Sequence, residues 1–247
     1  YLLKKNKIEI FAGEASFETS TSIKIKSKNN SIKEINSKNI CIASGGRPRE
    51  ISGISNSSNV WFYKDALQVN MIPKKLLVVG SGAIGVEFAS FFAQMGSDVS
   101  LLESQPTILP NEDLDVSNFV EKQFLNRGIK IYKNHSLSSL KEKEGLFEAE
   151  LKSENKVLTL EFEKAILAVG IIGNIEDLNL EAVNVTCSNG SVVVDEFCKT
   201  NVDNIYAIGD VASPPWLAHK ASHEGISVAE QVAGIKVHPI KKDRIPA

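Results

Sequence analysis

Residues 75–89 read Lys75-Leu-Leu-Val-Val-Gly-Ser-Gly-Ala-Ile-Gly-Val-Glu-Phe-Ala89. Leu76–Val79 is a short unbroken apolar run, the pattern of a parallel strand covered on both faces. From Ile84 to Met95 the apolar residues recur at helical spacing, and Gly96 stands where a helix C-cap belongs. Between them lies Gly80-Ser-Gly82-Ala-Ile-Gly85, a G-x-G-x-x-G sequence. Glycine triplets alone are often only turns, but at a strand-to-helix junction each glycine has its own task. Gly80 permits the tight turn, Gly82 lets the backbone approach a pyrophosphate, and Gly85 lets helix and strand pack closely. The first N–H groups of the helix, from Ala83 onward, lack intrahelical partners and are free to hold phosphates.

Working outward, a second strand at Val99–Leu102 ends on Glu103, eighteen residues after Gly85. A carboxylate there can accept hydrogen bonds from both hydroxyls of an adenosine ribose and would repel a 2′-phosphate. No Lys, Arg or His lies between Lys75 and Lys122 to neutralise such a phosphate, so the cofactor expected is NAD rather than NADP. The bland alternative is a turn of packing glycines followed by a solvated glutamate. Leu114–Asn126 reads as a second helix, with Asp113 and Asp115 near its positive end and Gly128 after it. Ile129–Tyr132 reads as a third strand, residues 146–163 as an alternating meander, and Ala165–Val169 as one more buried strand.

The flanks differ in pattern. Ile8–Phe11, Ser22–Ile25 and Ile32–Ile35 read as short strands separated by Gly13, by Ser/Thr and by an Asn29-Asn30 turn. Asn39–Gly46 is a buried-type strand running into glycines, and residues 47–60, with Pro48 and Gly53, read as a connection between domains. Val192–Asp195 and Ile205–Ile208 read as strands, followed by a helix over Ala218–Val232.

Composition narrows the function classes. With 43% hydrophobic and 23% charged residues the chain is not generally disordered. A net charge of −2 gives no field for nucleic acid or an acidic membrane, and no apolar run is long enough to span a bilayer. The three cysteines, Cys41, Cys187 and Cys198, are scattered, which argues against a disulfide framework and against a zinc site. No metal is expected, and the compartment expected is the cytoplasm or an organelle matrix. Because the chain starts on Tyr1 rather than Met, it is expected to be part of something longer.

Two further segments end in glycines after apolar strands: Ile42-Ala-Ser-Gly45 and Ile205-Tyr-Ala-Ile-Gly-Asp210. The second, with Thr200 and Asn204 before it and Val211-Ala212 after it, resembles the flavin-contacting strand of the pyridine nucleotide–disulfide oxidoreductases. Trp216-Leu-Ala-His-Lys-Ala-Ser-His-Glu-Gly225 resembles the matching segment of the dihydrolipoamide dehydrogenases within that family. The resemblance implies that Asp210 accepts a hydrogen bond from the ribitol of FAD. It places Ser44, Gly45, Gly209, Leu217, Ala218 and His219 around that flavin, with the helix from Ala218 aimed at its pyrimidine ring, where the positive end stabilises charge formed on reduction. Gly85-Val-Glu87-Phe implies that Glu87 pairs with a lysine beside the flavin. Ile84 and Gly170 are implied to lie near the nicotinamide portion and Leu137 in the adenine pocket, although Ile84 and Leu137 read equally well as core residues.

Departures from the family pattern are specific. The family's N-terminal G-x-G-x-x-G and Cys-x₄-Cys redox pair do not occur in these 247 residues, and Cys187 and Cys198, the nearest pair, have ten residues between them. The family's His–Glu acid/base pair is also missing, and His135, His219, His223 and His238 read as surface or packing histidines, not as its replacement. After Gly170 the family's Arg-x-Pro-Asn becomes Ile171-Ile-Gly-Asn174, and Trp216 replaces a Met-like residue.

The expected fold is α/β: a Rossmann-like NAD-binding domain (49–172) inserted in a partial FAD-binding domain (1–48 with 173–236), with a three-stranded β-meander and a stub of an interface domain (237–247). The function implied is the central fragment of an NAD- and FAD-dependent dihydrolipoamide dehydrogenase. Such a fragment should bind NAD weakly, retain no FAD and have no catalytic residues of its own, with Glu87 supporting. The parent would be a homodimer acting on the lipoyl group of a 2-oxo acid dehydrogenase complex. The alternatives are a non-catalytic NAD-binding or redox-sensing module, or a disulfide reductase of the family acting on mercury or glutathione. Glu103 and the Leu-Ala-His-Lys-Ala segment favour the dihydrolipoamide branch.

Overall fold

A computed structural model describes residues 1–52, 54, 59–143, 145–154 and 156–246. Gly53 and residues 55–58 of the expected connection lie outside the described residues. The chain divides into two compact units, Pro48–Ile171 and Tyr1–Arg47 with Ile172–Ala247. The two passages between them run through paired short strands, Gly46–Pro48 and Ile171–Gly173.

The unit Pro48–Ile171 is built on a five-stranded sheet in the order Val60–Trp61, Lys164–Leu167, Lys75–Val79, Asp98–Leu102, Lys130–Tyr132, all parallel. Alternation along Lys75–Val79 sends side chains to both faces of the sheet, and both are covered. Leu76 and Val78 pack with Val99, Leu101 and Phe124 against Phe88, Ala89 and Phe92 of the helix Ala83–Gln94. Leu77 and Val79 pack with Leu102 and Leu167 against Phe147, Ala149, Leu151 and Phe162 of an antiparallel meander. Phe92 and Phe147 are both fully enclosed, and each such side chain contributes roughly 1.5–3 kcal/mol of burial. The helix Leu114–Asn126 begins where expected, and the Asp113 carboxylate accepts the Asp115 N–H at 2.9 Å as its cap.

The meander has three strands, Ser136–Lys143, Leu146–Lys152 and Val157–Phe162, so it starts ten residues before the expected 146. A β-bulge between Leu137 and Ser139 puts two buried leucines, Leu137 and Leu140, three positions apart, and this breaks the alternation that identifies a strand.

In the other unit, Glu14–Thr19, Ser22–Lys26 and Ile32–Asn36 form a second antiparallel meander. Ile8–Phe11, expected as a strand, is not one: pairing begins at Glu14 with Lys26, and Ile8 and Ile10 are exposed without a neighbouring strand. Ile40–Ile42 and Ile205–Ala207 pair in parallel over a core of Phe17, Leu180, Val183, Val192 and Val211. The expected strand Val192–Asp195 shortens to Ser191–Val192, because the Asp195 carboxylate accepts the N–H groups of Phe197 and Lys199 and turns the chain. The helix Ala218–Val232 has the expected bounds.

Candidate dinucleotide site

The glycine turn sits at the carboxyl end of the central strand, the place where open parallel sheets bind ligands. Gly80 has φ +94°, and its N–H donates to Leu102 O at 2.8 Å, fastening the turn to the neighbouring strand. A Cβ on Gly80 would lie 2.4 Å from Ala168 O, and one on Gly85 would lie 1.9 Å from Gly80 O. Gly82 differs: it precedes the helix with ordinary backbone angles, and a Cβ there would meet nothing within 4 Å. Two glycines thus serve the fold, and the third leaves open space at a helix N-terminus that no side chain caps. These residues fit a bound pyrophosphate.

Glu103 closes the other side. Its N–H donates to Tyr132 O (2.9 Å) and its carbonyl accepts from His135 N (3.0 Å), so the backbone is held between neighbouring segments. The carboxylate is 6% exposed and accepts four hydrogen bonds. Oε2 accepts both the N–H (2.9 Å) and the hydroxyl (2.6 Å) of Ser81, while Oε1 accepts Gln105 N–H (2.8 Å) and the Ser104 hydroxyl (3.1 Å). Burial pushes its pKa up, but the donors, led by the Ser81 hydroxyl, outweigh this and hold it below the ordinary carboxylate value. The carboxylate is therefore ionised at neutral pH and tied to the glycine turn through its second residue. Sequence reasoning passed over Ser81, which occupies an unspecified position of the motif.

The other candidates fall into place around this turn. Ala83 is exposed on the first helical turn and Glu87 is exposed one turn on, whereas Ile84 is half-buried against the helix-side core. Gly170 has φ +105° and its carbonyl accepts Arg49 N–H at 2.9 Å. Leu137 is 8% exposed and packs in the core between sheet and meander.

The model of the family described as pyridine nucleotide-disulphide oxidoreductase matches residues 1–225. The chain belongs to the pyridine nucleotide-disulphide oxidoreductase family. Among curated relatives, the dihydrolipoyl dehydrogenase of Zymomonas mobilis is 42% identical over 99% of this chain and 53% of its own length. That of Rhizobium etli is 42% identical over 100% of this chain and 55% of its own. Among solved structures, LpdA from Mycobacterium tuberculosis superposes with TM-score 0.86 at 26% identity, over 95% of this chain and 52% of that one. The HOCl-induced flavoprotein disulfide reductase RclA from Escherichia coli gives TM-score 0.82 at 26% identity, over 94% and 52%. The chain spans about half the length of the curated relatives it matches.

The residues that the family pattern associates with flavin lie in the unit Tyr1–Arg47 with Ile172–Ala247. Parallel pairing of Ile40 with Ile205 and Ile42 with Ala207 brings Ser44-Gly45 and Gly209-Asp210 to one end of two adjacent strands. Ser44 Oγ donates to Asn174 O (2.7 Å), and Asn174 Nδ2 returns a bond to Ser44 O (2.9 Å). Arg47 reaches the same loop: its guanidinium donates to Gly173 O and Asn174 Oδ1 and pairs with Glu176. Arg47 thus ties this loop to the strand Gly46–Pro48 and is ion-paired with Glu176.

Gly209 has φ +71°, and its N–H donates to the buried Glu224 carboxylate at 2.8 Å. Lys220 Nζ lies 2.9 Å from the other oxygen of that carboxylate, with both side chains at least 95% enclosed. This pair, missed as functional by the sequence reading, anchors the Gly209-Asp210 turn to the helix Ala218–Val232. Leu217 precedes that helix in an extended conformation, and no side chain caps it. Ala218 and His219 are exposed there, with His219 Nε2 3.1 Å from Pro246 O. Burial pushes the Cys41 thiol up to about 11 and the Cys198 thiol up to about 12, so both are protonated at neutral pH.

Proposed function

We propose that the unit Pro48–Ile171 binds NAD⁺ and serves as the hydride-accepting nucleotide end of a dihydrolipoyl dehydrogenase. The observation that carries the reading is the joint geometry of the glycine turn and Glu103. The open face of Gly82 and the uncapped helix start receive the pyrophosphate, and the ionised Glu103 beside them receives the adenosine ribose and repels a 2′-phosphate. Within the whole polypeptide the reaction is oxidation of dihydrolipoamide to lipoamide by NAD⁺, in a homodimer serving 2-oxo acid dehydrogenase complexes. FAD, when bound, relays the electron pair from the dithiol to the nicotinamide. Of this chain's residues, Asp210 would hold the flavin ribitol and Glu87 would pair with a lysine at the flavin edge. That relatives 42% identical to this chain are dihydrolipoyl dehydrogenases favours a lipoyl substrate over another disulfide.

The test is a calorimetric titration of the purified chain with NAD⁺ and with NADP⁺, after its absorbance is recorded for flavin. Saturable NAD⁺ binding without NADP⁺ binding, on a colourless protein, is expected. Absence of any nucleotide binding would overturn the assignment of the turn. A yellow protein that NADH reduces would overturn the expectation that these residues alone do not retain FAD.

A further inference from the structure

We propose that the Ser81 hydroxyl is the positioning group that fixes the Glu103 carboxylate for the adenosine ribose, and that it thereby sets the preference for NAD over NADP. The inference rests on the reading of this unit as an NAD site. Its starting point is an asymmetry between the two carboxylate oxygens. Oε2 accepts two bonds from one residue, the Ser81 N–H and the Ser81 hydroxyl, and Ser81 is fully buried, so neither donor can turn away to solvent. Oε1 accepts Gln105 N–H and the hydroxyl of Ser104, an exposed residue whose bond is the longest of the four at 3.1 Å.

A ribose hydroxyl therefore meets Glu103 on Oε1, taking the place of the Ser104 hydroxyl, while the Ser81 clamp on Oε2 stays closed. That clamp fixes the plane of the carboxylate and so decides where Oε1 points. It also supplies the strongest kind of neutral donor contact that a buried anion can have. Among the described residues no Lys, Arg or His side chain is hydrogen-bonded to this carboxylate, so donors alone oppose the cost of burying its charge. His135 offers Glu103 its backbone N–H; its ring turns to Lys133 O at 2.6 Å and packs edge-on to Tyr132. Without the Ser81 hydroxyl the carboxyl turns more freely and protonates more readily. A neutral acid both loses an acceptor position for the ribose and ceases to repel a 2′-phosphate.

The test compares wild type with Ser81→Ala, Ser81→Thr, Glu103→Gln and the Ser81→Ala/Glu103→Gln double variant, in NAD⁺ and NADP⁺ titrations from about pH 8 down to about pH 5. Carboxyl-carbon NMR follows the titration of Glu103 without nucleotide. Ser81→Ala is expected to weaken NAD⁺ roughly tenfold, to lower the NAD⁺/NADP⁺ affinity ratio and to do so most at the acid end. Ser81→Thr should restore the ratio, and Ser81→Ala should add nothing in the Glu103→Gln background, which marks an effect transmitted through that carboxylate. Ser81→Cys, close in size and a weaker donor, carries the comparison if Ser81→Ala does not fold. An unchanged Glu103 titration with an unchanged nucleotide ratio in Ser81→Ala would overturn the proposal. A wild type that binds no nucleotide would instead overturn the functional reading, while the NMR titration would still decide whether Ser81 governs the carboxylate.

Discussion

At Gly82 and Gly85 one substitution, glycine to alanine, meets two different surroundings three residues apart. A methyl on Gly85 would stand 1.9 Å from the Gly80 carbonyl oxygen, a backbone atom that cannot move without opening the turn. Gly85→Ala is expected to cost about 3 kcal/mol or more and to lower the midpoint of thermal unfolding. A methyl on Gly82 would touch nothing within 4 Å and asks for no unusual backbone angle. Gly82→Ala should therefore change stability by less than about 1 kcal/mol, yet it fills the space a pyrophosphate needs and should weaken NAD⁺ at least about tenfold. Calorimetric unfolding and nucleotide titration of the two variants check the contrast. A destabilised Gly82→Ala with normal affinity would show that this glycine serves the fold after all.

Between secondary-structure elements the buried Lys220–Glu224 pair does for the second unit what Ser81 and Glu103 do for the first, tying a turn at a strand end to its neighbour. Removing one partner leaves an enclosed charge unmatched. Glu224→Ala is expected to lower unfolding free energy by about 3–5 kcal/mol in urea denaturation, whereas an apolar replacement of both residues should be close to neutral. A loss below about 1 kcal/mol for Glu224→Ala would mean that the helix Ala218–Val232 holds the turn by packing alone. How far such elements can be read from sequence depends on whether their signal is periodic. Leu114–Asn126 and Ala218–Val232 were legible because each repeats an apolar spacing over a long enough run, and Leu76–Val79 because it is apolar without a break. Ser136–Lys143 was not, because its bulge shifts Leu140 out of register with Leu137. Ile8–Phe11 alternates like a strand, but pairing is a property of the fold, and among the described residues no strand pairs with it. In the site, Gly80, Gly82, Gly85 and Glu103 carried their meaning in their spacing. Ser81, Arg47 and the Lys220–Glu224 link act through contacts that only folding creates, and no spacing announces them.

For the whole molecule, the useful property is that each unit has its own core: Leu76, Phe92 and Phe147 in one, and Ile40, Val192 and Ile205 in the other. Among the described residues no helix is long and apolar enough to cross a membrane. A ligand stabilises the part of a protein that must be folded to bind it, by about 2.7 kcal/mol at a hundredfold excess over Kd. Saturating NAD⁺ should then slow amide hydrogen exchange in Lys75–Val79, across the Gly80–Gly85 turn and at Glu103, through openings that the ligand now opposes. Ile205–Ala207 and Ala218–Val232, in the other unit, should exchange as before, because Ile205-Tyr-Ala-Ile-Gly-Asp210 carries no G-x-G-x-x-G turn to hold a second dinucleotide. Peptide-resolved exchange with and without NAD⁺ reads both regions in one experiment. Protection at Ile205–Val232 with none at Gly80–Gly85 would move the nucleotide to the flavin-associated unit and overturn the assignment made from Gly82 and Glu103.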